Sequence, residues 1–160
     1  VTQEGNSILY LAAKYAVFGR ILPDRQTGED VWLSPPSAGG SIAFAAWAGL
    51  LVTALNLFPI GQFDGGHVAY AMWGRKAWSL ARAFVGVIFA WGLLLTFVGN
   101  QAGTTWLVWG GLGLLMGARH PQPLNDVTPL DPKRRRLGWI LVLIFVLILA
   151  PVPLIETVVP

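Results

Sequence analysis

The chain has 160 residues, of which 54% are hydrophobic, only 12% are charged and eight are tryptophan. So little polar surface excludes an ordinary water-soluble globule; the reading is a membrane protein. The net charge of +3 is clustered in short runs without a long basic helix, which argues for a lipid surface and against nucleic acid, and the absence of cysteine excludes disulfides and thiolate metal sites.

The first residue is Val and no basic start, short apolar core and cleavage site precede the body, so the chain is expected to be a fragment of a longer protein. Residues 1–40 are expected to form an interfacial helix and an extramembrane loop. The apolar piece "SILYLAAKYAVFGRIL" carries Lys14 in its middle and is too short to cross a hydrocarbon core of about 30 Å, so it should lie at the interface or pack against a bundle. The loop follows as "PDRQTGEDVWLSPPSAGG", where prolines, glycines and acids prevent regular structure.

Residues 41–160 read as one membrane-embedded domain. The uncharged stretch "SIAFAAWAGLLVTALNLF" at 41–58 extends about 27 Å as a helix, close to a full crossing. A second span is predicted over 80–98 and a third, glycine-rich, over 104–118; the tight "GNQAG" between them predicts a helical hairpin. The fourth is "LGWILVLIFVLILAPVPL". The predicted fold class is therefore all-α and multi-pass, with about four transmembrane helices, the first broken at a Pro/Gly-rich motif.

Arg75, Lys76 and Arg82 flank one loop, Arg119 and the KRRR run at 133–136 another, and "GNQAG" has no basic residue, so both basic loops are expected on the cytoplasmic side. Trp73, Trp78 and Trp139 beside those loops read as interfacial anchors, and the KRRR run as a topology determinant in contact with anionic lipid.

The break is "NLFPIGQFDGGH", residues 56–67. Pro59 has no N–H to bond residue 55, so a helix must kink or end there. Gly61, Gly65 and Gly66 permit positive φ and close backbone approach. Irregular backbone at membrane depth survives only against protein or a water-filled cavity, and an aspartate on it points to function. Against this stands a plain alternative: "DGG" is an ordinary turn, Asp64 a cap at the water boundary, and Asn56 an amide bonded to a neighbouring helix.

The string Asn56-Leu57-x-Pro59-x-x-x-Phe63-Asp64-Gly65-Gly66-His67 resembles the third-helix motif of the site-2 protease family of intramembrane zinc metalloproteases, with Phe63 where Leu is usual. The likeness runs through most of the chain from about Ala43 onward. It implies that Asp64 is the third ligand of a catalytic Zn2+, beside two histidines of an HExxH helix whose glutamate is the general base, and that Asn56 contacts the substrate backbone or the developing oxyanion. Pro59, Gly61, Gly65 and Gly66 would make the helix break that admits an unwound substrate. Such an enzyme hydrolyses peptide bonds in transmembrane segments of protein substrates.

The chain departs from the family in one serious respect. It has no HExxH; its two histidines, His67 and His120, form no helical pair around a glutamate. Alone it cannot complete the zinc site and should be inactive, so the HExxH helix is expected on a preceding part of the same protein. His67 is read as a neighbour of the metal site rather than a ligand, and His120 as structural. The alternative of a different class is an inactive membrane scaffold or chaperone of the same fold; a cation or proton transporter is a weaker one, because no second broken helix is present. The expected setting is the plasma membrane of a prokaryote, with Asp64 near the cytoplasmic face.

Overall fold

A computed structural model describes residues 2–20, 38–117 and 130–156. In chain order the described elements are β1 (Thr2–Glu4), α1 (Ile8–Phe18), α2 (Ala38–Asn56), α3 (Asp64–Trp73), α4 (Lys76–Phe97), α5 (Ala102–Met116), α6 (Pro132–Ile148) and β2 (Leu154–Glu156). The expected all-α architecture holds apart from one short ladder. Two compact units are present, Val1–Ala54 with Val146–Pro160, and Leu55–Phe145. The last residues of the chain return to pair with the first and so fall in the same unit.

In the first unit β1 and β2 are antiparallel, with Thr2 opposite Glu156 and Glu4 opposite Leu154. The Gly5 N–H continues the ladder to the Pro153 carbonyl at 2.7 Å. Ser7 caps α1 by accepting the Tyr10 N–H at 3.2 Å, and Gly19 ends it at φ 69°, a left-handed conformation that glycine adopts without strain. At 11 residues, α1 is about 16 Å long and cannot cross a bilayer. Its one cation is not at a surface: Lys14 Nζ lies 2.9 Å from Glu4 Oε1 with both residues almost wholly buried. The Tyr10 hydroxyl also donates to that carboxylate, at 3.4 Å, and the ammonium sits 4.8 Å from the Tyr10 ring. A charge so buried is tolerable only in a pair, so Glu4 is what lets Lys14 face inward.

In the second unit α4 and α5 form the expected hairpin. Asn100 Oδ1 accepts the Ala102 N–H at 3.0 Å at the start of α5, while Gly99 makes the turn at φ 74°. Ala77, Ala81, Val85, Ile88, Gly92 and Leu95 make the buried stripe of α4, at helical spacing. Glycines let the backbones approach: a Cβ on Gly92 would lie 3.1 Å from the Gly103 carbonyl oxygen, and one on Gly110 would lie 3.0 Å from the Phe89 ring.

α4 is long and apolar enough to cross a membrane, and α5, at 15 residues, falls short of that length. The expected spans were apolar runs, and the helices stop before those runs do. Pro59 ends α2's run, Gly117 at φ 78° ends α5, and α6 spends its first turns on the exposed KRRR run.

Candidate functional site

The break between α2 and α3 covers residues 57–63. Pro59 cannot donate to the Leu55 carbonyl, and that carbonyl is taken instead by the Phe58 N–H at 3.1 Å. Two further tight turns follow, Ile60 N–H to Phe58 O at 2.7 Å and Phe63 N–H to Ile60 O at 3.1 Å. The backbone groups of the broken segment are thus partly satisfied locally, which is what makes a break tolerable away from water.

Two apolar side chains hold the segment. Phe58 is 1% and Ile60 0% exposed. The Phe58 ring meets Phe84 edge-on at 5.1 Å, Phe145 at 6.1 Å and Phe63 at 6.5 Å, and stacks on Trp106 at 6.3 Å. Ile60 reaches α5 at Gly113, whose missing Cβ would stand 3.1 Å from Ile60 Cδ1.

The glycines of the motif divide into two kinds. Gly61 has φ 45° and packs against the carbonyl of Gly117, so it needs both a left-handed backbone and the missing side chain. Gly65 and Gly66 do not have positive φ and do not lie in the break; they belong to the first turn of α3. That part of the sequence expectation is corrected. Their role is close approach: a Cβ on Gly65 would fall 2.6 Å from the Phe58 carbonyl oxygen, and one on Gly66 would fall 2.7 Å from that of Ile60. The first turn of α3 therefore folds back onto the carbonyls of the break.

The polar residues stand on either side of this scaffold. Asn56 is the last residue of α2 and is exposed. Asp64 is the first residue of α3, not part of an unwound stretch as the sequence suggested, and is also exposed; Phe63 caps the helix in extended conformation without a side-chain bond. A carboxylate in the first turn faces the positive end of the helix dipole. His67 is one turn further on, exposed, its N–H bonded to the Phe63 carbonyl at 3.1 Å. His120 lies outside the described residues.

A three-ligand zinc site needs two more donors beside Asp64. Among the described residues no three histidine or acidic side chains come together as a metal-binding group. Among the described residues, Asp64 therefore offers one oxygen donor without two further histidine or acidic side chains grouped beside it to make a metal site. Sequence reasoning missed the buried Glu4 partner of Lys14, which only long-range pairing of β1 with β2 brings into view.

Residues 37–99, which contain α2, the break, α3 and α4, match the model of peptidase family M50. The chain belongs to peptidase family M50, the site-2 protease family. It is 33% identical over 134 residues to a protein named probable zinc metallopeptidase EGY3, chloroplastic, of Arabidopsis thaliana, covering 83% of this chain and 21% of that protein. To probable zinc metalloprotease EGY2, chloroplastic, of Oryza sativa subsp. indica it is 42% identical over 64 residues, 33% of this chain and 12% of that protein. To the EGY1 protein of Arabidopsis thaliana, named in the same terms, it is 33% identical over 113 residues, 69% of this chain and 19% of that protein. The chain spans about a fifth of the length of the curated relatives it matches most fully. No solved structure matches it. The M50 match includes Asn56, Pro59 and Asp64, the residues that the motif singled out. The expected plasma membrane of a prokaryote has no support among these relatives, which are named as chloroplastic plant proteins.

Proposed function

We propose that this chain is the aspartate-bearing, broken-helix portion of an intramembrane zinc endopeptidase that hydrolyses peptide bonds in transmembrane segments of protein substrates. The observation that carries the reading is a proline break, held in place by Phe58 and Ile60, with Asn56 at the helix end before it and Asp64 at the helix start after it, inside the stretch that matches family M50. The relatives' names as zinc metalloproteases support the metal and the reaction class.

In this reading the roles are few. Asp64 offers one carboxylate to zinc, which supplies Lewis acidity and an activated water when bound, and the two remaining ligands and the general base come from an HExxH segment outside these 160 residues. Asn56, at the free end of α2, donates its amide to the substrate backbone or to the oxygen that gains charge during attack. The break itself gives a substrate helix a place to unwind, since a peptide bond inside a helix is shielded by its own hydrogen bonds. The wider topology belongs to the same proposal: α4 crosses the bilayer, and α2, α5 and α6 complete about four spans, with the basic ends of α4 and α6 on one side.

The test is direct. The coding sequence upstream of Val1 should contain HExxH, and the product of the whole coding sequence, reconstituted in lipid, should cleave a transmembrane peptide that carries a helix-destabilising residue near its middle. An upstream segment without HExxH, together with intact substrate after prolonged incubation, would favour the scaffold reading instead.

A further inference from the structure

The α4–α5 hairpin carries a cavity that proteolysis leaves unused. A slot of about 250 Å³ is lined by Arg82, Val85, Gly86 and Phe89 of α4 and by Gly113 and Leu114 of α5. The α4 residues fall at helical spacing on one face, so the slot follows the helix axis for about 10 Å from Arg82 to Phe89. Two missing side chains keep it open. A Cβ on Gly86 would meet nothing within 4 Å, and Gly113 has none to extend toward Val85.

The slot is apolar along its length and cationic at one end. Arg82 is exposed and donates to Ser79 Oγ at 3.1 Å; among the described residues no carboxylate pairs with it. Arg75 and Lys76, also exposed, stand at the same end of α4. A packed helix, about 10 Å across with its side chains, is too wide for a space of this size and would bury the guanidinium against apolar groups. A single methylene chain is narrow enough. In a bilayer it runs along the normal, as a membrane-crossing α4 does, and its phosphate sits at the boundary where a basic residue near a helix end meets anionic headgroups.

We propose that this slot binds one acyl chain of an anionic phospholipid, with its phosphate on Arg82. The inference rests on the membrane part of the proposed function and on neither the metal nor the cleavage. The full 160-residue chain, in mixed micelles holding phosphatidylglycerol and phosphatidylcholine with identical acyl chains, is examined by native mass spectrometry. The parent should retain phosphatidylglycerol over phosphatidylcholine by about fivefold, the weight of one basic residue near the surface. Arg82→Gln should abolish the preference while lipid is still retained. Gly86→Leu should lose both lipids, and Val87→Leu, a substitution at an exposed position of the same helix, should behave as the parent.

Equal retention of the two lipids by the parent would overturn the proposal. So would parental retention by Gly86→Leu with unchanged helicity, displacement of the lipid by soluble glycerol phosphate, or capture of a transmembrane peptide in place of lipid. Arg82→Gln alters an exposed side chain and keeps the test decisive if Gly86→Leu does not fold. An inactive Asp64 variant should retain lipid as the parent does, so failure of the protease reading and failure of this one are told apart.

Discussion

The break at 57–63 and the α4–α5 hairpin are built from the same materials, glycine and aromatic residues in an apolar setting, and they use them in opposite ways. In the hairpin, Gly92, Gly103 and Gly110 have helical neighbours on both sides and serve only to bring two regular helices together. In the break, Gly61 bends the chain at φ 45°, and Gly65 and Gly66 bring a helix start against bare carbonyls. The hairpin satisfies its backbone internally, as lipid demands, and the Thr96 hydroxyl in it returns to the Gly92 carbonyl at 2.8 Å. The break gives up that regularity, and an amide and a carboxylate stand at its two ends. Local rules are broken where function is expected, and Phe58 and Ile60 anchor the exception.

The comparison can be broken at its anchor first. Phe58→Ala removes a ring that four other aromatic rings contact, and should cost about 4 kcal/mol of stability by denaturant titration in detergent. A loss below about 1 kcal/mol would mean that the break does not depend on this cluster. Gly65→Ala comes next, at about 3 kcal/mol, because the new methyl meets the backbone of Leu57 and Phe58, which cannot move aside like a side chain. In the whole-length product, Asn56→Ala should slow cleavage about 10²-fold with little change in stability, since the side chain is exposed; equal loss of both would make Asn56 structural. The smallest effect belongs to the hairpin. Gly86→Ala fills open space on an uninterrupted helix and should stabilise by about 0.5–1 kcal/mol, opposite in sign to Gly65→Ala.

The residues differ in how far their own chemistry reveals them. Pro59 announces a helix end by the N–H it lacks, and the polar "GNQAG" announces a hairpin, so the break and the α4–α5 pair were readable in sequence. The helical state of 64–73 was not, because two glycines at its start read as disruption; only the carbonyls packed against them explain why glycine is required in a helix. The three-residue strands at the two ends of the chain have no local signal, since each is defined by a partner more than a hundred positions away. The same long-range pairing hid the Lys14–Glu4 bond, so a lysine in an apolar helix looked interfacial when it is buried and paired. Of the site, the identities of Asn56 and Asp64 came from the motif, while their placement at the end of one helix and the start of the next came from the fold.

The claim on which the account turns is that Asp64 holds a metal. The decisive measurement compares zinc content and cleavage for the parent and Asp64→Asn in the product of the whole coding sequence, reconstituted with a transmembrane substrate. The account predicts one zinc per parental chain. In the variant, metal should be lost and cleavage should fall by more than about 10²-fold, because a ligand counts for at least as much as the residues that orient ligands. Helicity and membrane insertion should persist, since Asp64 is exposed at a helix start. A variant that keeps its zinc and cleaves at the parental rate would contradict the account and leave Asp64 as the first-turn residue of α3 and nothing more.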